Sequence, residues 1–75
     1  MLLSDALRTM RQKSFMTQES FAQEMGVTAS TINRWENAKA KPNLTAMKKL
    51  KSFCEKNDLD YLVIETAWFA AHVQE

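Results

Sequence analysis

Gly26 is the only glycine among 75 residues, and it lies between two segments that each read as an amphipathic helix. Before it, Phe21, Ala22 and Met25 fall on one helical face; after it, Thr28 can cap a helix that turns Ile32 and Trp35 inward. A glycine just past the last apolar position supplies the positive φ that ends a helix without straining a Cβ. With a new helix start two residues later, there is no room for a strand or a long loop. The chain must cross two helices at a wide angle, and such a crossing demands small and wedge-shaped side chains at set places. Ala22 is the small residue where the helices overlie, Val27 and Ile32 fill the wedge, and Trp35 closes the far end.

The rest of the chain extends an all-α reading. One glycine and one proline, with 45% apolar residues, argue against a turn-rich β fold. A chain of this length holds one domain, 1–75. The pattern Leu3, Ala6, Leu7, Met10 predicts a first helix from about Ser4 to Lys13, with Ser4 as its N-cap. Thr17 predicts the start of a second helix at Gln18, and the third spans about Ala29–Glu36. Asn37–Asn43 is a polar connection containing Pro42. Asn43 then caps a fourth helix, Leu44 to about Lys56, with Leu44, Met47, Leu50, Phe53 and Cys54 facing the core. A fifth covers about Tyr61–Val73, or residues 61–73.

Charge is informative once divided. Residues 1–51 carry nine basic and four acidic side chains, a surplus of five positive charges. Residues 52–75 carry one basic and five acidic, which brings the total to +1. A near-neutral sum thus conceals a basic first part, the footprint expected of a polyanion-binding face. Lys48, Lys49 and Lys51 read as the solvated side of the fourth helix.

Several functions are disfavoured. A single cysteine, Cys54, makes no intramolecular disulfide and no cysteine-rich zinc site; it and the lone His72 have no evident ligand partners. Scattered acids and the lack of a glycine-rich phosphate loop leave no support for an enzyme, a metal or a cofactor. No stretch is long enough to span a membrane, and charged residues interrupt the opening MLLSDALRTM, so a cytoplasmic protein is expected.

The segment QESFAQEMGVTASTINRWEN, residues 18–37, carries a resemblance. Together with Arg11, Thr17 and Pro42 it is similar to the phage-repressor and Cro type (XRE-like) of helix-turn-helix DNA-binding domain, over Leu7 to about Leu62. The resemblance implies a five-helix, lambda-repressor-like fold with the helix-turn-helix at helices 2 and 3. It also implies a sequence-specific transcriptional regulator, a repressor, that places helix 29–36 in the major groove of double-stranded DNA. Base edges would then meet Thr28, Ala29, Ser30, Asn33 and Arg34, with Arg34 suited to the O6 and N7 of guanine. Phosphates would meet Gln18, Thr31, Asn37, Lys39 and Lys41, Thr31 having the edge of helix 2 as its other possible neighbour. With about four phosphates neutralised per subunit, log affinity should fall against log salt with a slope near −3.6. Arg11 and Glu36 match positions that form an ion pair between helices 1 and 3 in the family.

Two departures from the family pattern stand out. Ala38 and the pair Ser14-Phe15 occupy places where glycine is common. The expectation at Ala38 is a connection that stays helical longer or bends differently, since a left-handed alanine is strained; Phe15 is expected to pack locally.

The segment YLVIETAWFAAHV is apolar nearly all round. Tyr61, Leu62 and Ile64 or Glu65 can close the core, which leaves Trp68, Phe69 and Val73 as a surplus. That surplus predicts a homodimer interface; the alternative is that Trp68 and Phe69 fold back onto helix 1. A further alternative is a DNA-binding antitoxin or protein-interaction module whose apolar last helix holds a partner protein.

Overall fold

The computed structural model describes residues 2–71. These form five helices: α1 Leu3–Lys13, α2 Gln18–Met25, α3 Ala29–Glu36, α4 Leu44–Lys56 and α5 Tyr61–Ala70. Four of them begin at a side chain that accepts a first-turn N–H. Thr17 Oγ1 takes the Ser20 N–H at 3.0 Å while Ser20 Oγ takes the Thr17 N–H at 3.0 Å, a reciprocal capping box. Thr28 and Asn43 accept from Thr31 and Ala46 at 3.1 and 2.8 Å, and Asp60 accepts from Leu62 at 3.0 Å. The exception corrects an expectation: α1 begins one residue before Ser4, with Leu2 at the cap position and no side-chain cap bond. Leu3, the first residue of the helix, is buried in the core.

The C-termini of α1 to α4 share a device the sequence hides. α2 ends on Gly26 at φ 69°, and the Val27 N–H reaches back to the Ala22 carbonyl at 3.0 Å. α1, α3 and α4 end the same way without glycine. Phe15, Ala38 and Asp58 take φ 55°, 58° and 56°. The N–H groups of Met16, Lys39 and Leu59 then close on the carbonyls of Arg11, Arg34 and Cys54 at 3.3, 2.9 and 2.8 Å. Each closure satisfies a carbonyl that the helix end would orphan. Ala38 is therefore left-handed after all, as a glycine would be, and the connection does not stay helical. Phe15 does not pack locally either: it is 97% exposed, pushed outward by its own backbone.

Within the core, α2 packs on α3, α1 crosses α3 and α5, and α4 lies against α2 and α5. Phe21 of α2 meets Phe53 of α4 edge to face, ring centres 5.3 Å apart. Leu7, Ile32, Leu50 and Cys54 are fully enclosed around them. Burial pushes the Cys54 thiol up to about 11, which keeps it protonated and unreactive beside Met10 Sδ at 3.4 Å. Lys49 is not merely solvated. Its ammonium donates to the Met25 carbonyl at 3.2 Å, tying α4 to the end of α2, and it lies 2.6 Å from where a Cβ on Gly26 would be.

Two apolar residues expected inside lie outside. Leu44 is 70% exposed and Leu62 65% exposed. The inward stripe of α4 runs through Ala46, Met47, Leu50, Phe53 and Cys54, and Leu44 is off it; on α5 the buried residues are Ile64 and Ala67, and Leu62 falls on the opposite side of the helix. α5 ends at Ala70, and His72 and Val73 lie outside the described residues.

Candidate nucleic-acid interface

The site is built on a buried carboxylate. Glu36, the last residue of α3, is only 3% exposed. Arg11 from α1 donates to it twice, Nε to Oε2 at 2.7 Å and Nη2 to Oε1 at 2.9 Å. Arg8 adds a bond from Nη2 to the Glu36 carbonyl at 2.9 Å, and its Nε lies 3.7 Å from Oε1. Gln18, the first residue of α2, donates Nε2 to Oε1 at 3.2 Å. Burial alone would push the carboxyl up. The bonds from Arg11 and Gln18, with the charges of Arg11 and Arg8, outweigh it and hold Glu36 below the ordinary carboxylate value. The Arg11 guanidinium is held up in turn by its hydrogen bond to Glu36. Arg11 Nη1 also donates to the Met16 carbonyl at 2.9 Å, so one arginine locks α1, the α1–α2 joint and α3 together.

That lock fixes which face of α3 looks outward. Ile32, Trp35 and Glu36 point in. Thr28, Ser30, Asn33 and Arg34 are exposed on the other side, and Asn37 and Lys39 continue the exposed strip past the helix end. Ala29 is half-buried against the core, so less of its methyl is free than the sequence suggested. Thr31 is half-buried and its hydroxyl pairs with that of Thr28 at 3.0 Å.

Three of these side chains have partners that sequence reasoning missed. Asn33 Nδ2 donates to Gln18 Oε1 at 3.4 Å, Asn37 Nδ2 donates to the Asn33 carbonyl at 2.8 Å, and Arg34 Nη2 donates to the Lys39 carbonyl at 3.3 Å. Only the i, i+4 pair Asn33/Asn37 was available as a local signal.

Lys41 and Trp68, expected at a phosphate and at a subunit interface, contact each other within the chain. Lys41 turns toward α5: its ammonium sits 4.4 Å from the centre of the Trp68 ring and donates to the Trp68 carbonyl at 3.3 Å. The Trp68 indole N–H donates to the Pro42 carbonyl at 2.7 Å. Trp68 is thus half-buried within its own chain, held by the 41–42 connection and packed on the core. Phe69 stays 74% exposed, stacked edge to face on Trp68 at 5.0 Å, and Val73 lies outside the described residues.

No helix among the described residues is long and apolar enough to cross a membrane. Comparison with curated proteins and with solved structures returned no match. A family model described as helix-turn-helix matches residues 7–62, three quarters of the chain, and runs from the middle of α1 to the start of α5 with the whole Glu36 lock. The chain therefore belongs to the Cro and phage-repressor type of helix-turn-helix family, whose members are DNA-binding regulators.

Proposed function

We propose that the five helices act as one domain that represses transcription by occupying an operator on cytoplasmic DNA, with α3 in the major groove. The exposed polar strip of α3, held outward by the buried Glu36 pair, is the observation that carries this reading. A B-form major groove about 12 Å wide admits one helix, and Thr28, Ser30, Asn33 and Arg34 would then face base edges. Ala29, half-buried, offers a thymine methyl only its outer edge. Phosphates would be met by the backbone N–H groups of Gln18 and Glu19, which the capping box leaves open at the positive end of α2. Thr31, Asn37 and Lys39 would extend that contact line, and Lys41 would join it only by leaving Trp68.

A single subunit with so few contacts binds weakly at physiological salt, which favours a homodimer. Exposed Leu44 and Phe69 border a groove of about 240 Å³ between α4 and α5, lined also by Met47, Tyr61, Glu65 and Trp68. A second copy seated there would place two recognition helices about 34 Å apart, facing a roughly palindromic site. Mobility-shift titration on fragments of the gene's own promoter tests the reading. A shift weakened at least about tenfold by Arg34→Ala supports it; equal binding by both proteins overturns the role of Arg34. Copurification from the native host of a different protein, instead of a second copy, would overturn the homodimer.

A further inference from the structure

Gln18 and Asn33 form a chain of hydrogen bonds whose polarity is set from inside the protein. The Glu36 carboxylate, ion-paired with Arg11, can only accept. The Gln18 amide must therefore present its nitrogen to Oε1, as the 3.2 Å contact has it. Its oxygen is then the atom that faces Asn33, and an oxygen cannot donate. Asn33 must answer with its nitrogen, 3.4 Å away. One buried charge thus dictates the orientation of two amides in succession, ending at an exposed side chain on the outer face of α3.

Resting on the major-groove reading above, we propose that Gln18 is a positioning residue that makes Asn33 a selective reader of adenine. With one N–H committed to Gln18, Asn33 keeps one N–H and its Oδ1. Adenine presents one acceptor, N7, and one donor, N6–H, which match that pair. Guanine presents two acceptors, N7 and O6, and would set its O6 against Oδ1 with no second N–H to offer. An amide released from Gln18 has both hydrogens free and can turn to serve either purine. Gln18 therefore acts on base choice without touching a base. Its side chain, turned inward to Glu36, is distinct from its backbone N–H, which remains for a phosphate.

The test uses a duplex selected from a random pool, with each base pair of the site permuted in turn. Wild-type protein should prefer adenine over guanine at one base pair by about tenfold or more. Gln18→Ala should bring that ratio below about threefold at that base pair while leaving the preferences at the other base pairs of the site in place. Asn33→Ala should remove the same preference at the same base pair, and the double variant should lose no more than either single one. Gln18→Met, which keeps the stem that packs at the start of α2, repeats the test if the alanine variant melts early. Uniform weakening on every sequence, with a salt slope shallower by about 1, would make the Gln18 side chain a phosphate ligand and overturn the proposal. So would an undisturbed adenine preference. Wild-type protein that distinguishes no duplex from any other would overturn the groove reading itself, and this inference with it.

Discussion

Arg11 and Glu36 meet through two parallel hydrogen bonds of 2.7 and 2.9 Å across 25 residues of sequence, and this pair is the hinge pin of the domain. It joins the helix that leads into the motif to the last residue of the helix that would read DNA. Because the carboxylate is enclosed, removing one partner leaves the other charge poorly solvated.

Glu36→Gln should therefore lower stability by about 3 kcal/mol, read by chemical denaturation at neutral pH. The pH dependence comes from the depressed acidity of Glu36. The unfolded carboxyl, near its ordinary 4.5, takes up a proton more readily than the folded one. The contribution of the pair is thus fully present above about pH 5 and fades as pH falls through 4.5 and then through the lower folded value. Glu36→Gln should flatten that acid limb; an unchanged limb would place the acid sensitivity elsewhere.

The left-handed residues at helix ends offer an opposite prediction. Ala38→Gly and Phe15→Gly replace a strained L-residue at φ near +55° to +58° with one that has no Cβ. Each should stabilise by about 1 kcal/mol, a rise of about 4–8 °C in a thermal melt. Phe15 packs on little, so nothing is lost in exchange. A fall in melting temperature would contradict the strain argument.

Salt dependence separates the cations. Lys39, exposed beside the end of α3, should account for about one unit of the slope of log affinity against log salt. Lys39→Ala should shallow the slope by about that much. Lys41→Ala should instead disturb Trp68, visible as a shift in tryptophan fluorescence, because its ammonium lies on that ring.

Phe69 is the cleaner probe of self-association, since Trp68 also closes its own fold. Sedimentation of Phe69→Ala should show monomer at concentrations of roughly tens of micromolar where wild type pairs, with an unchanged melting temperature at high dilution. Wild type that is monomeric throughout would reject the α5 interface.

The features the sequence disclosed and those it concealed divide along physical lines. Thr17, Thr28, Asn43 and Gly26 marked element boundaries because caps and a positive φ are local demands with few residue solutions. The match over residues 7–62 likewise reflects the local pattern of the motif. Ala38, Phe15 and Asp58 were hidden because closure of each helix end, and the reversal of the chain into the next element, force left-handed turns against their own preference. Leu44 and Leu62 are apolar yet exposed: Leu44, in the first turn of α4, shares an i, i+3 spacing with Met47 but falls at the margin of the buried face, and Leu62 lies on the side of α5 opposite Ile64 and Ala67. The Gln18–Asn33 and Lys41–Trp68 contacts join residues 15 and 27 positions apart, and no short-range spacing announces them.

Amide chemical-shift mapping, during titration with a selected duplex at low salt, locates the DNA-facing surface residue by residue. Docking through α3 requires the largest changes at Gln18 and along Thr28–Lys39, with the lysine side of α4 around Lys48 and Lys56 nearly still. Changes centred on that lysine side, with Ser30, Asn33 and Arg34 unmoved, would contradict it.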